Sequence, residues 1–178
     1  MQNLNRCKGM ILLRNHPRTI AMSAMLIAII FVAIYFISIP NGLGGAIHFG
    51  DSLVFISATL LPMPYSLLVA ALGPGLFNLA RMPMWLPFTI VIKPIMALCF
   101  TSKGESILGP LRNRIAPFLA GVINTVLYFF AYWFLLDGWE SGVAALPGLV
   151  IQGAGSIVFF FLIAVALDRL KLKKMLML

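Results

Sequence analysis

Charge is what this sequence has least of. Only 10% of its 178 residues are Asp, Glu, Lys or Arg, where a soluble domain carries about 25%. Acidic residues are scarcest, 5 against 13 Lys and Arg. The chain also lacks the groupings that do chemistry. It has no GxxxxGK[ST] stretch to hold phosphates, so ATP hydrolysis through a P-loop is excluded. HExxH and GxSxG are missing too, and no carboxylate pair lies inside an apolar run where a hydrolase or proton relay would need one. The two cysteines, Cys7 and Cys99, suit no zinc spacing; both are expected at the reducing face of a membrane, with no disulfide. His48 with Asp51 supplies too few ligands for a metal site. An enzyme is therefore not expected, nor a cofactor or metal.

What remains is apolar: 61% hydrophobic residues and a mean hydropathy of +1.02. Such a chain belongs in a bilayer. Its length accommodates about six helical spans of about 20 residues each, leaving nothing over for a soluble domain. The expectation is one integral membrane domain, residues 1–178, of an all-α membrane protein with six transmembrane helices. The runs lie at about 19–39, 52–61, 65–79, 85–100, 115–136 and 144–167. Helices 2 and 3 are expected to be short or broken, because the second run is stopped by "LPMP" and the third contains Gly73, Pro74 and Gly75. The first run is long and lacks a small-residue cleavage pattern, so a cleavable signal peptide is not expected.

Basic residues set the expected orientation. Arg6, Lys8, Arg14 and Arg18 precede helix 1, Lys103, Arg112 and Arg114 lie between helices 4 and 5, and Arg169, Lys171, Lys173 and Lys174 follow helix 6. Six spans put all three groups on one side, which the positive-inside rule makes cytoplasmic, together with the N- and C-termini. The other side carries Asp51, Arg81, Asp137 and Glu140. The stretch "NGLGGAIHFGD", residues 41–51, then faces outward as a glycine-rich lid, with Asp51 or Ser52 placed to cap helix 2.

Polar residues within the runs point to a site, since an ionisable group at membrane depth is costly. Lys93 is the lone Lys or Arg inside a span. Helical spacing puts it on one face of helix 4 with Trp85 and Thr89. The same spacing aligns Asn124, Tyr128 and Tyr132 on helix 5, and Gly148, Gln152 and Ser156 on helix 6. A cation, amides and aromatic planes at similar outer-half depths make a pocket for a flat, polar, heterocyclic ligand. One cation favours a ligand carbonyl, carboxylate or phosphate. Snorkelling of Lys93, interhelical bonding by the amides and an interfacial aromatic belt are the alternatives. On helix 1, Ala21, Ala24 and Ala28 form a small-residue stripe that lets another helix approach, whether its own, a twin's or a partner's.

The segments "IPNGLGGAIHFGDSLVFISATLLP", "LPFTIVIKPIMAL" and "PGLVIQGAGSIV" resemble the substrate-binding S-components of energy-coupling factor (ECF) transporters, most closely the riboflavin-type group. His48, Gly50, Asp51, Lys93 and Gln152 stand at the matching places of its H-x-G-D segment, helix 4 lysine and helix 6 glutamine. The resemblance implies a cell-membrane protein that captures a vitamin outside and docks on a transmembrane T-component with two cytoplasmic ATPase subunits. It also implies that Ala21, Ala24 and Ala28 form the docking surface. Lys93 would be hydrogen-bond donor or charge partner, Gln152 and Asn124 would orient the ligand, and Tyr128 and Trp85 would stack on it. Two departures accompany it: "LPMPYS" replaces an "LLGP"-like turn after helix 2, and Pro94 follows Lys93 directly and is expected to re-aim it. A structural or assembly protein that oligomerises through the alanine stripe, and a stand-alone secondary carrier, are the competing readings.

Overall fold

The computed structural model describes the backbone of residues 2–40, 46–136 and 138–176, with side chains from residue 17 onward. The expected lid residues 41–45, Asp137, and the side chains of Arg6, Cys7, Lys8 and Arg14 lie outside the described residues.

Helix α1 (Gln2–Ile37) leads into a two-residue ribbon in which β1 (Ile39–Pro40) pairs antiparallel with β2 (Ala46–Ile47), Ile39 opposite Ile47. The chain continues through α2 (Gly50–Leu60), α3 (Met63–Arg81), a 3-10 turn at Pro83–Trp85, α4 (Leu86–Ala97), α5 (Leu111–Leu135), α6 (Trp139–Arg169) and α7 (Leu172–Leu176). Proline near the first turns of α3 and α4 suits those positions, where no intrahelical N–H partner is needed. Among the described residues the molecule is all-α apart from the ribbon. Four helical segments, Pro17–Ile37, Met63–Arg81, Leu111–Leu135 and Trp139–Arg169, are long and apolar enough to cross a membrane. Gly50–Leu60 and Pro83–Ala97 are shorter apolar helices.

The shortness of α2 has a structural reason. Its 11 residues span about 16 Å, and it is the central element, in contact with α1, α3, α4 and α6. Val54, Phe55, Ile56 and Ala58 are all buried. Its hydroxyls satisfy themselves on the preceding turn: Ser57 Oγ donates to Val54 O at 2.7 Å and Thr59 Oγ1 to Ile56 O at 2.8 Å. Surrounded in this way, a helix too short to span leaves no polar group facing lipid.

Helix α3 corrects the expectation of a break. It runs without interruption for 19 residues, with Pro74 inside it. Gly73 serves close approach: a Cβ there would come within 2.8 Å of Ile30 Cγ2, so its absence lets α1 and α3 meet around the fully buried Ile30. Helix α1 also begins well before the expected Thr19, and α6 begins at Trp139, ahead of Ala144.

At the end of the bundle away from the ribbon, the connection between α4 and α5 carries no helix and is held by side chains. Asp168 accepts from the backbone N–H groups of Ile107 at 2.7 Å and Leu108 at 2.9 Å. Asn113 accepts from Thr101 N at 2.8 Å and donates to the carbonyls of Thr101 and Ile107 at 2.9 and 2.8 Å. Arg112 and Arg114 donate to the carbonyls of Leu98, Cys99 and Leu108. Beside this loop, Phe55, Phe100 and Phe160 close the core, with centroids 4.9 to 6.1 Å apart.

Candidate functional site

The other end is built around a buried ion pair. Lys93 of α4 and Asp51 of α2, each 1% exposed, meet at 2.7 Å. Lys93 Nζ also donates to Asn124 Oδ1 of α5 at 3.0 Å and lies 4.9 Å from the centroid of the Tyr128 ring. The second carboxylate oxygen of Asp51 accepts from Gln152 Nε2 of α6 at 3.0 Å. Four helices thus converge on one charge pair, and attraction in a low-dielectric interior offsets desolvation only when such geometry is good. Pro94 stays inside α4, and Lys93 reaches inward instead of snorkelling to the surface.

Asp51 is no cap. The residue ahead of α2 is Phe49, without a side-chain capping bond, and Ser52 Oγ donates to Phe49 O. The carboxylate turns into the bundle, where Lys93 is a stronger partner than a helix N-terminus.

Beside the ion pair runs a second polar chain. Asn78 Nδ2 of α3 donates to Thr89 Oγ1 at 2.5 Å, and Thr89 shares a 2.8 Å hydrogen bond with the Tyr128 hydroxyl. The ring of Trp85 lies 4.3 Å from that of Tyr132 and 6.2 Å from that of Tyr128, centroid to centroid, forming an aromatic wall. A cavity of about 40 Å³ lies between these groups, with His48, Trp85, Thr89, Lys93, Tyr128 and Gln152 among its lining. Asp51 and Asn124 stand behind that lining and hold Lys93.

Among the described residues, and apart from the Asp51 oxygen that Lys93 meets as an ion pair, three buried atoms next to this network have no hydrogen-bond partner: His48 Nδ1, Asn124 Nδ2 and Ser156 Oγ. Of these, His48 lines the cavity, while the Asn124 amide lies just behind it and meets a ligand only when the walls part. With its oxygen engaged by Lys93, Asn124 leaves an amide N–H₂ to donate. His48 sits in the loop ahead of α2, its ring 6.2 Å from Phe77 in a T-shaped contact. Burial pushes its imidazole down to about 4, against the opposing pull of the Asp51 carboxylate, so the ring is neutral at ordinary pH.

Sequence reasoning missed Asn78, the amide in "LFNLAR", although the argument that singled out Lys93 applies to it equally. It also missed how the lid is seated. A Cβ at Gly148 would come within 3.2 Å of Ile47 Cδ1, and one at Gly155 would collide with the Phe49 ring. Phe49 stacks on Phe159 with centroids 5.0 Å apart. The face of α6 holding Gly148, Gln152 and Gly155 therefore receives Ile47, Asp51 and Phe49 in turn, and glycine spacing in "PGLVIQGAG" was its signal. Ala21, Ala24 and Ala28 are not brought to this site. They lie exposed on α1 beside Ile20, Met25, Ile29 and Val32, so the stripe does not serve packing within its own bundle.

A larger concavity of about 760 Å³ lies between α4 and α5, lined by apolar side chains such as Phe88, Val91, Phe130 and Phe134. It has no converging polar groups and opens on the exposed apolar surface.

Among the helices of this membrane protein lies a buried polar site with hydrogen-bonding capacity left open, the form of a small-molecule binding site. The sequence model described as "ECF-type riboflavin transporter, S component" matches residues 14–169, and the chain belongs to that family. A search of curated proteins returned no match. The chain is accordingly a transporter subunit and not an enzyme.

Proposed function

We propose that this subunit captures riboflavin, or a closely related uncharged heterocyclic vitamin, from outside the cytoplasmic membrane and delivers it through an ATP-driven partner module. The observation that carries the reading is the unused hydrogen-bonding capacity of Asn124 and His48 beside an aromatic wall. A flat heterocycle with ring carbonyls and nitrogens matches those groups, while Trp85 and Tyr128 offer it π-faces.

The cavity of about 40 Å³ has room for a few waters, and small-molecule pockets measure about 300–1,000 Å³. Admitting a vitamin requires the walls to part. Among the described residues, the part best suited to give way is the β1–β2 ribbon, whose ladder is two residues long on each strand. The ligand's own contacts would then replace the ones the lid gives up.

The topology assumed is six crossings or re-entries, with both termini cytoplasmic beside the basic residues of the α4–α5 connection and α7. The exposed Ala21, Ala24 and Ala28 face would meet the transmembrane partner, since small side chains permit close helix approach. Without a P-loop of its own, the chain relies on partner ATPases for energy.

The test is reconstitution. Vesicles containing this chain with a T-component and ATPases should accumulate riboflavin when ATP is enclosed, and vesicles with the chain alone should not. Accumulation by the chain alone in a proton or sodium gradient would make it a secondary carrier.

A further inference from the structure

The site holds a lysine, yet it holds no net charge. Among the described residues, its ionised groups are Asp51 and Lys93, paired at 2.7 Å and both buried. The remaining polar groups, Asn78, Thr89, Asn124, Tyr128 and Gln152, are uncharged, and His48 is neutral. Arg81 does not contribute, because it is exposed and stacks on Tyr35 of α1 with its guanidinium carbon 4.3 Å from the ring centroid. A lone cation favours an anionic ligand; a cation already neutralised does not.

We infer that Asp51 makes this site select the uncharged vitamin over its phosphorylated form, because it occupies the one cation an anion could use. This rests on the riboflavin reading above and deepens it. A phosphate reaching Lys93 must displace the carboxylate, leaving Asp51 buried with Gln152 as its one hydrogen-bond partner among the described residues. If the phosphate stays away from Lys93, it is itself a desolvated anion near another. A neutral ligand meets neither difficulty. It takes up the free donor of Asn124 and leaves the ion pair standing. The selectivity is thus produced by a residue behind the cavity wall, acting through Lys93.

The experiment compares riboflavin and riboflavin 5′-phosphate by fluorescence titration of detergent-purified wild-type protein, Asp51→Asn, and the double variant Asp51→Asn with Lys93→Met. Size-exclusion elution and thermal unfolding monitor folding. Wild-type protein should bind riboflavin at least about tenfold more tightly than the phosphate. Asp51→Asn, which leaves Lys93 charged and unopposed, should shrink that ratio by at least about tenfold. The double variant is neutral again and should recover the wild-type preference even where both affinities are weaker, a result that a merely structural Asp51 would not give. Equal or tighter binding of the phosphate by wild-type protein would overturn the inference, as would an unchanged ratio in Asp51→Asn or a collapsed one in the double variant. If Asp51→Asn does not fold, Asp51→Ser and Asp51→Gly take its place, since each also leaves Lys93 charged and unopposed, and an unchanged ratio in whichever of them folds overturns the inference. Failure of folded wild-type protein to bind either flavin would overturn the riboflavin reading itself, and this inference with it; that outcome is distinct from binding without selectivity.

Discussion

Two asparagines of α5 stand about three turns apart, equally hidden from solvent, and do opposite things. Asn113 is 0% exposed and Asn124 1% exposed. Asn113 has its oxygen and both amide hydrogens engaged, all with the backbone of the α4–α5 connection. Asn124 has its oxygen on Lys93 and its amide nitrogen on nothing. The same contrast separates the two carboxylates. Asp168 binds two backbone N–H groups and fixes a loop, whereas Asp51 binds a lysine and a glutamine across helices. A closed polar network holds structure, and one left open in a buried place is ready for a ligand.

The comparison is sharpened most by removing a charge. Lys93→Met strands a buried carboxylate and should cost about 3–5 kcal/mol of stability, with loss of riboflavin binding. The double variant with Asp51→Asn should regain much of the stability, read from thermal unfolding in detergent. Asn113→Ala comes next. Losing three bonds and orphaning backbone groups should cost about 2–4 kcal/mol, while the protein that remains folded binds riboflavin with unchanged affinity. Asn124→Ala should reverse that profile, with a smaller stability loss of about 1–2 kcal/mol and an affinity drop of about tenfold or more. Gly155→Leu collides with Phe49 and should weaken binding by unseating the lid, leaving the Asp168 end intact. The smallest effect on binding belongs to Ala24→Trp, on the exposed face of α1. Its titration should match wild type while ATP-dependent uptake falls, and a fall in both would move that face into the binding site.

Much of this contrast was legible in the sequence, and unevenly so. Helical spacing aligned Trp85, Thr89 and Lys93, then Asn124 and Tyr128, because period 3.6 is a local property. Their convergence followed from the cost of burying such groups singly. Pairing was not legible: Asp51 looked like a helix cap because caps are read from neighbours in sequence, and its partner Lys93 lies on another helix. Asn113 passed unnoticed for a related reason. It sits at the edge of an apolar run between Arg112 and Arg114, where a polar residue is ordinary, and only the folded α4–α5 connection shows what it holds. Gly73 was read as a breaker because conformational freedom is its usual meaning; the facing Ile30 shows that it is there for contact. The shortness of α2 was visible in its run, whereas helix 3, expected short, is long enough to span and α4 is the other short helix; the central place of α2 depends on contacts with four others.

The most direct test measures stability and riboflavin affinity together for Asn113→Ala and Asn124→Ala, in the same detergent and at the same pH. The account predicts that the two variants separate, Asn113→Ala losing stability but keeping affinity and Asn124→Ala losing affinity out of proportion to stability. Two variants that lose both properties in step, or an Asn124→Ala protein that binds riboflavin like wild type, would contradict it.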